Sequence, residues 1–207
     1  MKIFAFLPIL VAAVPLAAQT CTTNPGDSVP DGLVSATMNV TTGNGFITVS
    51  LTDQLSDPKS VGQLLSGAQF TLASGLSTGT LGSSSAHVRS VSKGGSFTDH
   101  GPGPTGWALD TSNTNFFLCI LCTDLGALGP ERLLIGVPNT NTGVYTSANA
   151  SIAGNKPHNP FTAGTAVFFI NAPAAVAGDS VTSATFFFGT TAGIAVNGNC
   201  NNNIIPE

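Results

Sequence analysis

The four cysteines are the first residues whose type and spacing could do chemistry. Cys119 and Cys122 have the spacing of a dithiol redox motif, but that motif places its first thiol at a helix N-terminus, whereas Cys119 ends an apolar β-prone run. In an extended strand the two thiols would lie ~10 Å apart, beyond the roughly 7 Å that a disulfide spans. Either the chain bends there and the two bond, or each has another partner.

An even number of cysteines behind an export signal favours disulfides over a metal or redox site. Cys21 and Cys200 lie near the two ends of the domain, and chain ends are often neighbours in space. We prefer the pairing Cys21–Cys200 with Cys119–Cys122. The two other pairings stay open, and a four-thiolate zinc site is a weaker alternative.

A second group of residues has types that serve hydrolases. Ser77 lies at the centre of a Gly-x-Ser-x-Gly pattern, but a nucleophile elbow joins a buried strand to a helix, and the Ser- and Gly-rich surroundings predict a loop. His87, His100 and His158 are candidate bases, and none has the spacing of a metal site. We predict no catalytic residue and no enzyme, with a hydrolase as the less favoured alternative.

Sugar binding would require exposed aromatic side chains as stacking surfaces. The chain has one Trp and one Tyr, Trp107 and Tyr145, and most of its 13 Phe fall in core-like runs. These two, together with His158 and Asn159, are the candidate ligand-binding residues, although burial is the default for Trp107. We predict no metal site and no cofactor, with calcium held by Asp- and Asn-rich loops as the alternative.

The N-terminus predicts export. One basic residue, Lys2, precedes an apolar run over 3–14, and small residues lead to a cut after Ala18. The run is shorter than the ~20 residues that span a membrane and is interrupted by Pro8. We therefore assign residues 1–18 to a signal peptide and expect a secreted or cell-surface bacterial protein with no transmembrane segment in its mature part.

Composition narrows the class of protein. Charged residues make up 8 % of the chain, hydrophobic residues 42 %, and the formal net charge is −4. Disorder requires low hydrophobicity with high net charge, so this chain should fold. Six Lys and Arg, scattered along the sequence, are too few for a phosphate backbone, which excludes nucleic acid as a partner.

Short alternating runs between Gly, Pro, Asn and Ser residues predict strands and turns. The clearest, Phe46–Thr52, has apolar residues on one face and Thr or Ser on the other. Asp57 and Pro58 suggest the start of one short helix that ends at Gly67. We predict an all-β fold, an antiparallel β-sandwich or jelly roll with one short helix, as a single domain over 25–200 with a tail over 201–207. Charged residues on edge strands oppose pairing with another chain, and the predicted strands carry few of them. We therefore also expect self-association through sheet edges. The other predicted strands are Leu33–Val40, Ala68–Leu72, Ala86–Val91, Phe116–Leu121, Arg132–Val137, Ala166–Asn171 and Ala184–Gly189.

A series of short motifs resembles bacterial surface proteins of the PEP-CTERM, exosortase-sorted type, over about residues 33 to 193. The resemblance implies export and a surface or matrix role linked to exopolysaccharide, and it implies no catalytic residues. That group ends in Pro-Glu-Pro, an apolar helix and basic residues, whereas this sequence stops at Pro206-Glu207, so either it is freely secreted or the sorting signal is cut. The motifs are, in order, Leu51–Asp53, Ser60–Gln63, Phe70–Leu72, Gly79–Leu81, Thr105–Trp107, Gly129–Pro130, Leu134–Gly136, Ser151–Asn155, Pro157–Phe161 and Phe188–Thr191.

The sequence thus favours a non-enzymatic secreted or cell-surface protein, a structural or adhesive component of the envelope or the exopolysaccharide matrix. The alternative is a β-sandwich module that binds carbohydrate or calcium. Extracellular polysaccharide and other surface proteins are the expected partners. Exposure of Trp107 or Tyr145 beside a groove would favour the binding module, and burial of both would count against it.

Overall fold

The computed structural model describes residues 18–154, 156–191 and 193–201. These residues form fourteen strands and three single 3₁₀ turns. Residues 1–17 of the predicted signal peptide, and 202–207 of the predicted tail, lie outside the described residues. No helix in the described part of the chain is long and apolar enough to cross a membrane. The strands are β1 (Gln19–Thr22), β2 (Ser28–Val29), β3 (Gly32–Leu33), β4 (Ala36–Gly43), β5 (Phe46–Asp53), β6 (Leu65–Leu72), β7 (Thr80–Val91), β8 (Phe97–Gly103), β9 (Ala108–Asp110), β10 (Phe116–Cys119), β11 (Leu134–Ile135), β12 (Phe161–Asn171), β13 (Val181–Phe188) and β14 (Ala195–Asn201), and the 3₁₀ turns are Val61–Gln63, Thr123–Leu125 and Pro130–Arg132.

Twelve strands form one sheet whose order is β8-β7-β12-β5-β4-β1-β14-β13-β6-β10-β9, with β11 attached to both β12 and β6. Through β11 the strands from β12 to β6 close into a ring, so the sheet folds over on itself and encloses a core. All pairings are antiparallel except that of β11 with β12. The predicted antiparallel, sandwich-like all-β fold is confirmed.

Period-two alternation explains why these segments are strands. Ile47, Val49 and Leu51 of β5 are fully buried, and the Thr and Ser residues between them face outward. Phe168 of β12 packs inside against Trp107, with ring centroids 5.6 Å apart. Each such apolar side chain contributes roughly 1.5–3 kcal/mol when buried, so the inward residues of these strands stabilise the ring.

The structure has two disulfides, and they decide which cysteines pair, a question that the sequence left open. Cys21 and Cys200 are directly opposite each other on β1 and β14, with Cα atoms 3.9 Å apart. β10 ends at Cys119 and the chain then bends, which brings the Cα atom of Cys122 within 5.7 Å. The structure therefore contains the preferred pairing. β1 is a central strand over Gln19–Thr22, so residues before the expected domain boundary at 25 also belong to the sheet.

The predicted helix after Asp57 is reduced to the turn Val61–Gln63. Asp57 does not cap it: this residue has a φ of +52° and its carboxylate accepts hydrogen bonds from Ser147, both from its N–H and from its hydroxyl. Gln63 fixes the turn, because its Oε1 accepts the N–H groups of Lys59 and Ser60. The apolar residues after it continue into β6, since strand pairing with β13 buries them.

Both free ends of the sheet are protected against strand addition. β8, the strand at one end, carries Asp99, His100 and Pro102, and charge and proline at an edge oppose pairing with another chain. β9, at the other end, has only three residues. Self-association through sheet edges, which the sequence suggested, has little support in this geometry.

Candidate binding face

One broad surface of the sheet is free of charge. The outward side chains of β4, β5 and β12 are Thr, Ser, Asn, Val and Phe, and the outward residues beside them on β7 include Ser83 and Ser85. Neighbouring strands lie about 4.8 Å apart and residues rise about 3.4 Å each, so the four strands span roughly 14 by 20 Å. We call this surface the outer face. It comprises Thr37, Asn39, Thr41, Phe46, Thr48, Ser50, Thr52, Ser83, Ser85, Thr165, Val167, Phe169 and Asn171.

Strand register gives the outer face an ordered pattern of apolar and hydroxyl groups. Phe169 on β12 lies between Thr48 on β5 and Ser83 on β7. Val167, two residues earlier on β12, lies in the same way between Ser50 and Ser85. Phe169 is 38 % exposed and Val167 is 43 % exposed. An exposed apolar strip is therefore bordered on both sides by hydroxyl groups.

Cross-strand hydrogen bonds hold the polar side chains of this surface in place. Thr52 and Thr165 bring their hydroxyl oxygens within 2.9 Å of each other. On the other side, the Asn39 amide donates to the Ser50 hydroxyl at 3.3 Å and accepts from the Thr20 hydroxyl at 2.6 Å. Side chains that are already ordered lose less entropy when they bind a ligand. The polar part of the outer face is thus preorganised.

Phe46 and Phe169 form an aromatic platform at one end of the outer face. Their rings stack with centroids 5.6 Å apart and planes 20° apart. Two glycines leave room for them: a β-carbon on Gly43 would lie 2.2 Å from the Phe46 ring, and one on Gly82 would lie 3.1 Å from the Phe169 ring. Both rings can therefore lie along the sheet surface. We call this pair the Phe46–Phe169 platform.

The chemistry of the outer face matches that of a sugar polymer. Sugar rings present C–H groups on their faces and hydroxyl groups at their rims. Aromatic and aliphatic side chains pack against the C–H faces, and Thr, Ser and Asn both donate to and accept from hydroxyl groups. A surface without charge imposes no requirement for a charged ligand. The arrangement can bind an extended neutral polyol over several rings.

No protein-family model, curated protein or solved structure matches this chain. The candidate site is therefore identified from the chemistry and geometry of the chain's own residues. Of these, the outer face combines exposed apolar groups, ordered hydroxyl groups and a stacked ring pair on contiguous strands. It is the candidate functional site.

Trp107 and Tyr145, the aromatic residues expected to contact a ligand, are instead structural. Trp107 is 4 % exposed and donates its indole N–H to the Arg132 carbonyl at 2.9 Å. Tyr145 is 1 % exposed and donates its hydroxyl to the Gly136 carbonyl, while Arg89 donates to that hydroxyl. Burial raises the pKa of Tyr145, and its contact with Arg89 lowers it in part. Neither ring is available for stacking, so this part of the expected site is corrected.

His158 and Asn159 fix a loop to the domain. His158 donates from Nδ1 to the Ser151 carbonyl at 3.1 Å. Asn159 donates to the Ile152 carbonyl and accepts the Val91 N–H at 2.8 Å, and the peptide bond that follows it is cis. Both residues are half-buried and belong to the loop that precedes β12. Their polar groups hold the loop, which is the role that loop histidines commonly take.

The other two histidines lie on the β7–β8 hairpin. His87 Nδ1 is 2.9 Å from an Asp99 oxygen, and His100 Nε2 is 2.9 Å from the Ser90 hydroxyl. A Ser–His–Asp relay needs one imidazole between the serine and the carboxylate, whereas here each contacts a different histidine. The N–H of Gly101, followed by the contact with His87, lowers the pKa of Asp99 to about 2.

Ser77 lies in the irregular segment between β6 and β7, which is the loop that its surroundings predicted. A nucleophile elbow would place it between a strand and a helix. Among the described residues no three His, Cys, Asp or Glu side chains are grouped so that they could hold a metal ion.

Asp53, at the end of β5, is the most deeply buried carboxyl group of the described residues, at 1 % exposure. Burial raises its pKa well above the ordinary value, and hydrogen bonds from the N–H groups of Leu55, Leu65 and Gly136 lower it in part. Its Oδ2 atom has no hydrogen-bond partner among the described residues. Two of these donors, Leu65 at the start of β6 and Gly136 directly after β11, show that Asp53 lies where β11 closes the ring.

The Phe46–Phe169 platform was missed from the sequence, although a signal for it was present. Phe46 has the same parity as Thr48, Ser50 and Thr52, which places it on the polar face of β5. Phe169 likewise alternates with the buried residues Phe168 and Ile170. Parity identifies each ring as outward-facing. Their proximity depends on the β5–β12 register, which no local pattern reveals.

Proposed function

We propose that this chain is a non-enzymatic extracellular or cell-surface protein of bacteria that adheres to polysaccharide through its outer face, as a structural or adhesive component of the envelope or exopolysaccharide matrix. The observation that carries the proposal is the Phe46–Phe169 platform, a stacked pair in which Phe169 is exposed, on the same face as the ordered hydroxyl groups. Stacking on a ring and hydrogen bonding to hydroxyl groups are the two interactions by which a protein holds a neutral sugar polymer.

Two further features support adhesion as the role. The outer face is broad and open, which suits a long polymer better than a small molecule enclosed in a cleft. Its cross-strand hydrogen bonds fix the side chains before binding, which lowers the entropic cost of contact. Many weak contacts over such a surface, repeated along a polymer, give strong attachment by avidity.

An extracellular location is supported by the two disulfides, since such bonds persist mainly in oxidising compartments. The N-terminal signal sequence and the resemblance to PEP-CTERM surface proteins support the same location. That resemblance also links the chain to exopolysaccharide, the class of ligand that the outer face suits chemically. The proposal thus joins the two leading hypotheses from the sequence, matrix component and carbohydrate-binding module.

Co-sedimentation tests the proposal. The exported form, beginning at Gln19 and oxidised, is incubated with insoluble cellulose, chitin and mannan, with calcium and with a chelator. We expect saturable binding to at least one polymer, and loss of that binding in Phe169→Asp. The control Leu125→Asp introduces the same charge at an exposed position in the turn Thr123–Leu125 and should bind normally. Binding to none of the polymers by the folded protein, or equal binding by both variants, would overturn the proposal.

A further inference from the structure

The basic residues of the described chain are scattered in sequence but not in space. Arg89 forms an ion pair with Asp99. The other four form no ion pair within the described residues. They surround a single loop, residues 148–154 and 156–160, which we call the basic loop. These four residues are Lys59, Lys93, Arg132 and Lys156.

Backbone contacts bring these residues together. The carbonyl group of Lys59 accepts the N–H of Asn149 at 2.8 Å. The backbone of Lys93 packs against Gly154 so closely that a β-carbon there would lie 3.3 Å from the Lys93 Cα atom. The Gly154 N–H also donates to the Val91 carbonyl at 3.1 Å. The end of β7 and the segment before Val61 thus both meet the basic loop.

Two open pockets are lined by consecutive parts of the basic loop; one includes a single cationic residue and the other includes two. The first, of about 510 Å³, has Lys93 on its wall together with Asn149 and Gly154. The second, of about 460 Å³, is lined by Arg132, Lys156 and Glu131 among others. The Lys93 and Lys156 side chains are exposed, whereas Arg132 is half-buried. Its Nη1 atom is buried without a hydrogen-bond partner among the described residues, so it is the rest of the guanidinium group that can face the pocket.

The balance of charge makes this region unusual for the molecule. The whole chain has a formal net charge of −4. Among the described residues that line the two pockets, Glu131 is the one acidic residue, beside the cations Lys93, Arg132 and Lys156. Cations are thus concentrated beside pockets on an otherwise acidic protein, which is an arrangement that attracts anions.

We infer that the two pockets of the basic loop bind the anionic groups of an acidic polysaccharide. This inference rests on the proposed function and specifies its ligand class. Ammonium and guanidinium groups bind carboxylate and sulfate oxygens through charge-assisted hydrogen bonds. The outer face then binds the sugar rings, and the basic loop selects polymers that bear negative charge.

Three polymers with one backbone test the inference: neutral hydroxyethyl cellulose, carboxymethyl cellulose and cellulose sulfate, each in affinity gel electrophoresis. At low salt the wild type should bind one or both anionic polymers roughly tenfold more tightly than the neutral one. The difference should disappear at high salt, because salt screens exposed charges. Lys93→Gln/Lys156→Gln should lose the preference for charge, and so should Arg132→Gln. The control Lys59→Gln, whose residue lines neither pocket, should retain it.

The two anionic polymers distinguish carboxylate from sulfate as the preferred group. Equal binding to all three polymers, binding to none of them, or an unchanged preference in Lys93→Gln/Lys156→Gln would overturn the inference. A separate experiment tests the proposed function: the co-sedimentation of the wild type and of Phe169→Asp with neutral insoluble polymers. A protein that binds those polymers but ignores the charge of soluble cellulose derivatives would keep its function and lose this specificity.

Discussion

The ring of Phe46 lies over Gly43, the residue directly opposite it across the β4–β5 pair, in the space where a side chain would otherwise stand. A β-carbon on Gly43 would be 2.2 Å from Cζ of that ring. Gly43 is outside the left-handed region of φ, so its value to the fold is space rather than conformational freedom. The glycine allows Phe46 to extend along the sheet and stack on Phe169.

Gly43→Ala should therefore displace the Phe46 ring from the platform. Because the atoms that meet the new β-carbon belong to a partly exposed side chain that can rotate, we expect little change in the free energy of unfolding. Affinity for polysaccharide should fall by as much as in Phe46→Ala. Isothermal titration calorimetry and urea denaturation of both variants measure the two effects. Full affinity in Gly43→Ala would show that the ring position does not matter for binding.

Tyr145→Phe should lower stability and leave polysaccharide binding unchanged. The substitution removes the hydroxyl group that links Arg89 to the Gly136 carbonyl and leaves both without this partner. An unsatisfied buried polar group costs about 1–3 kcal/mol, which urea denaturation resolves. If Tyr145→Phe instead lost affinity at unchanged stability, Tyr145 would belong to the binding site after all.

The two disulfides should differ in their effect on stability. Cys21–Cys200 closes a loop with a sequence separation of 179, whereas the separation for Cys119–Cys122 is 3. A long closed loop restricts the unfolded chain more, so Cys21→Ser/Cys200→Ser should cost about 2–5 kcal/mol. Cys119→Ser/Cys122→Ser should cost less than about 2 kcal/mol. Thermal unfolding of the two double variants beside the wild type gives the order, and the reverse order would contradict the larger effect expected for the disulfide that closes the longer loop.

Asp53 should make the protein less stable as the pH rises. Burial raises the pKa of Asp53 above its ordinary value of 3.8, so the folded state holds the proton more tightly than the unfolded chain does. Its contribution is complete below pH 3.8 and is lost as the pH rises through the folded-state pKa. Asp99 acts in the opposite direction: its folded pKa is about 2, so the stability it contributes above pH 3.8 is lost as the pH falls.

Asp53→Asn separates these effects, because the amide keeps the shape of the protonated carboxyl group and does not titrate. Urea denaturation over a pH series should show the wild type losing stability above pH 3.8 relative to Asp53→Asn. The conservative control Asp99→Asn should change the pH dependence of the free energy of unfolding only at acidic pH. Parallel stability curves for the wild type and Asp53→Asn would mean that Asp53 does not titrate with a raised pKa in the folded protein.

Much of the fold could be predicted from local pattern. The alternation over Phe46–Thr52 specifies both the strand and the face that it buries, and it is found in β5. The helix predicted after Asp57 does not form beyond a single turn, because Leu65 pairs with β13 and is therefore part of β6. The short strand β14 was missed because its Asn- and Gly-rich sequence has little strand propensity, and pairing on both sides holds it in place.

The candidate site depends on relationships that a linear pattern does not contain. Which residues flank Phe169 is decided by the register of β12 with β5 and β7. The burial of Trp107 and Tyr145 likewise depends on the carbonyl groups of Arg132 and Gly136, which supply their hydrogen-bond acceptors. The basic loop collects cations from four separate segments. Sequence parity gives the side of a strand, whereas the neighbours across strands come only from topology.

Whether the Phe46–Phe169 platform binds polysaccharide is decided by a calorimetric titration. Calorimetry compares the wild type, Phe46→Ala/Phe169→Ala and the control Phe117→Ala with a soluble oligosaccharide of the polymer that the protein sediments with. Phe117 is a half-exposed ring that packs on Phe187, with centroids 4.8 Å apart, and lies away from the outer face. Each platform ring should contribute about 1 kcal/mol, so the double variant should bind roughly 30-fold more weakly while Phe117→Ala binds normally. Equal affinity in all three proteins would contradict the claim.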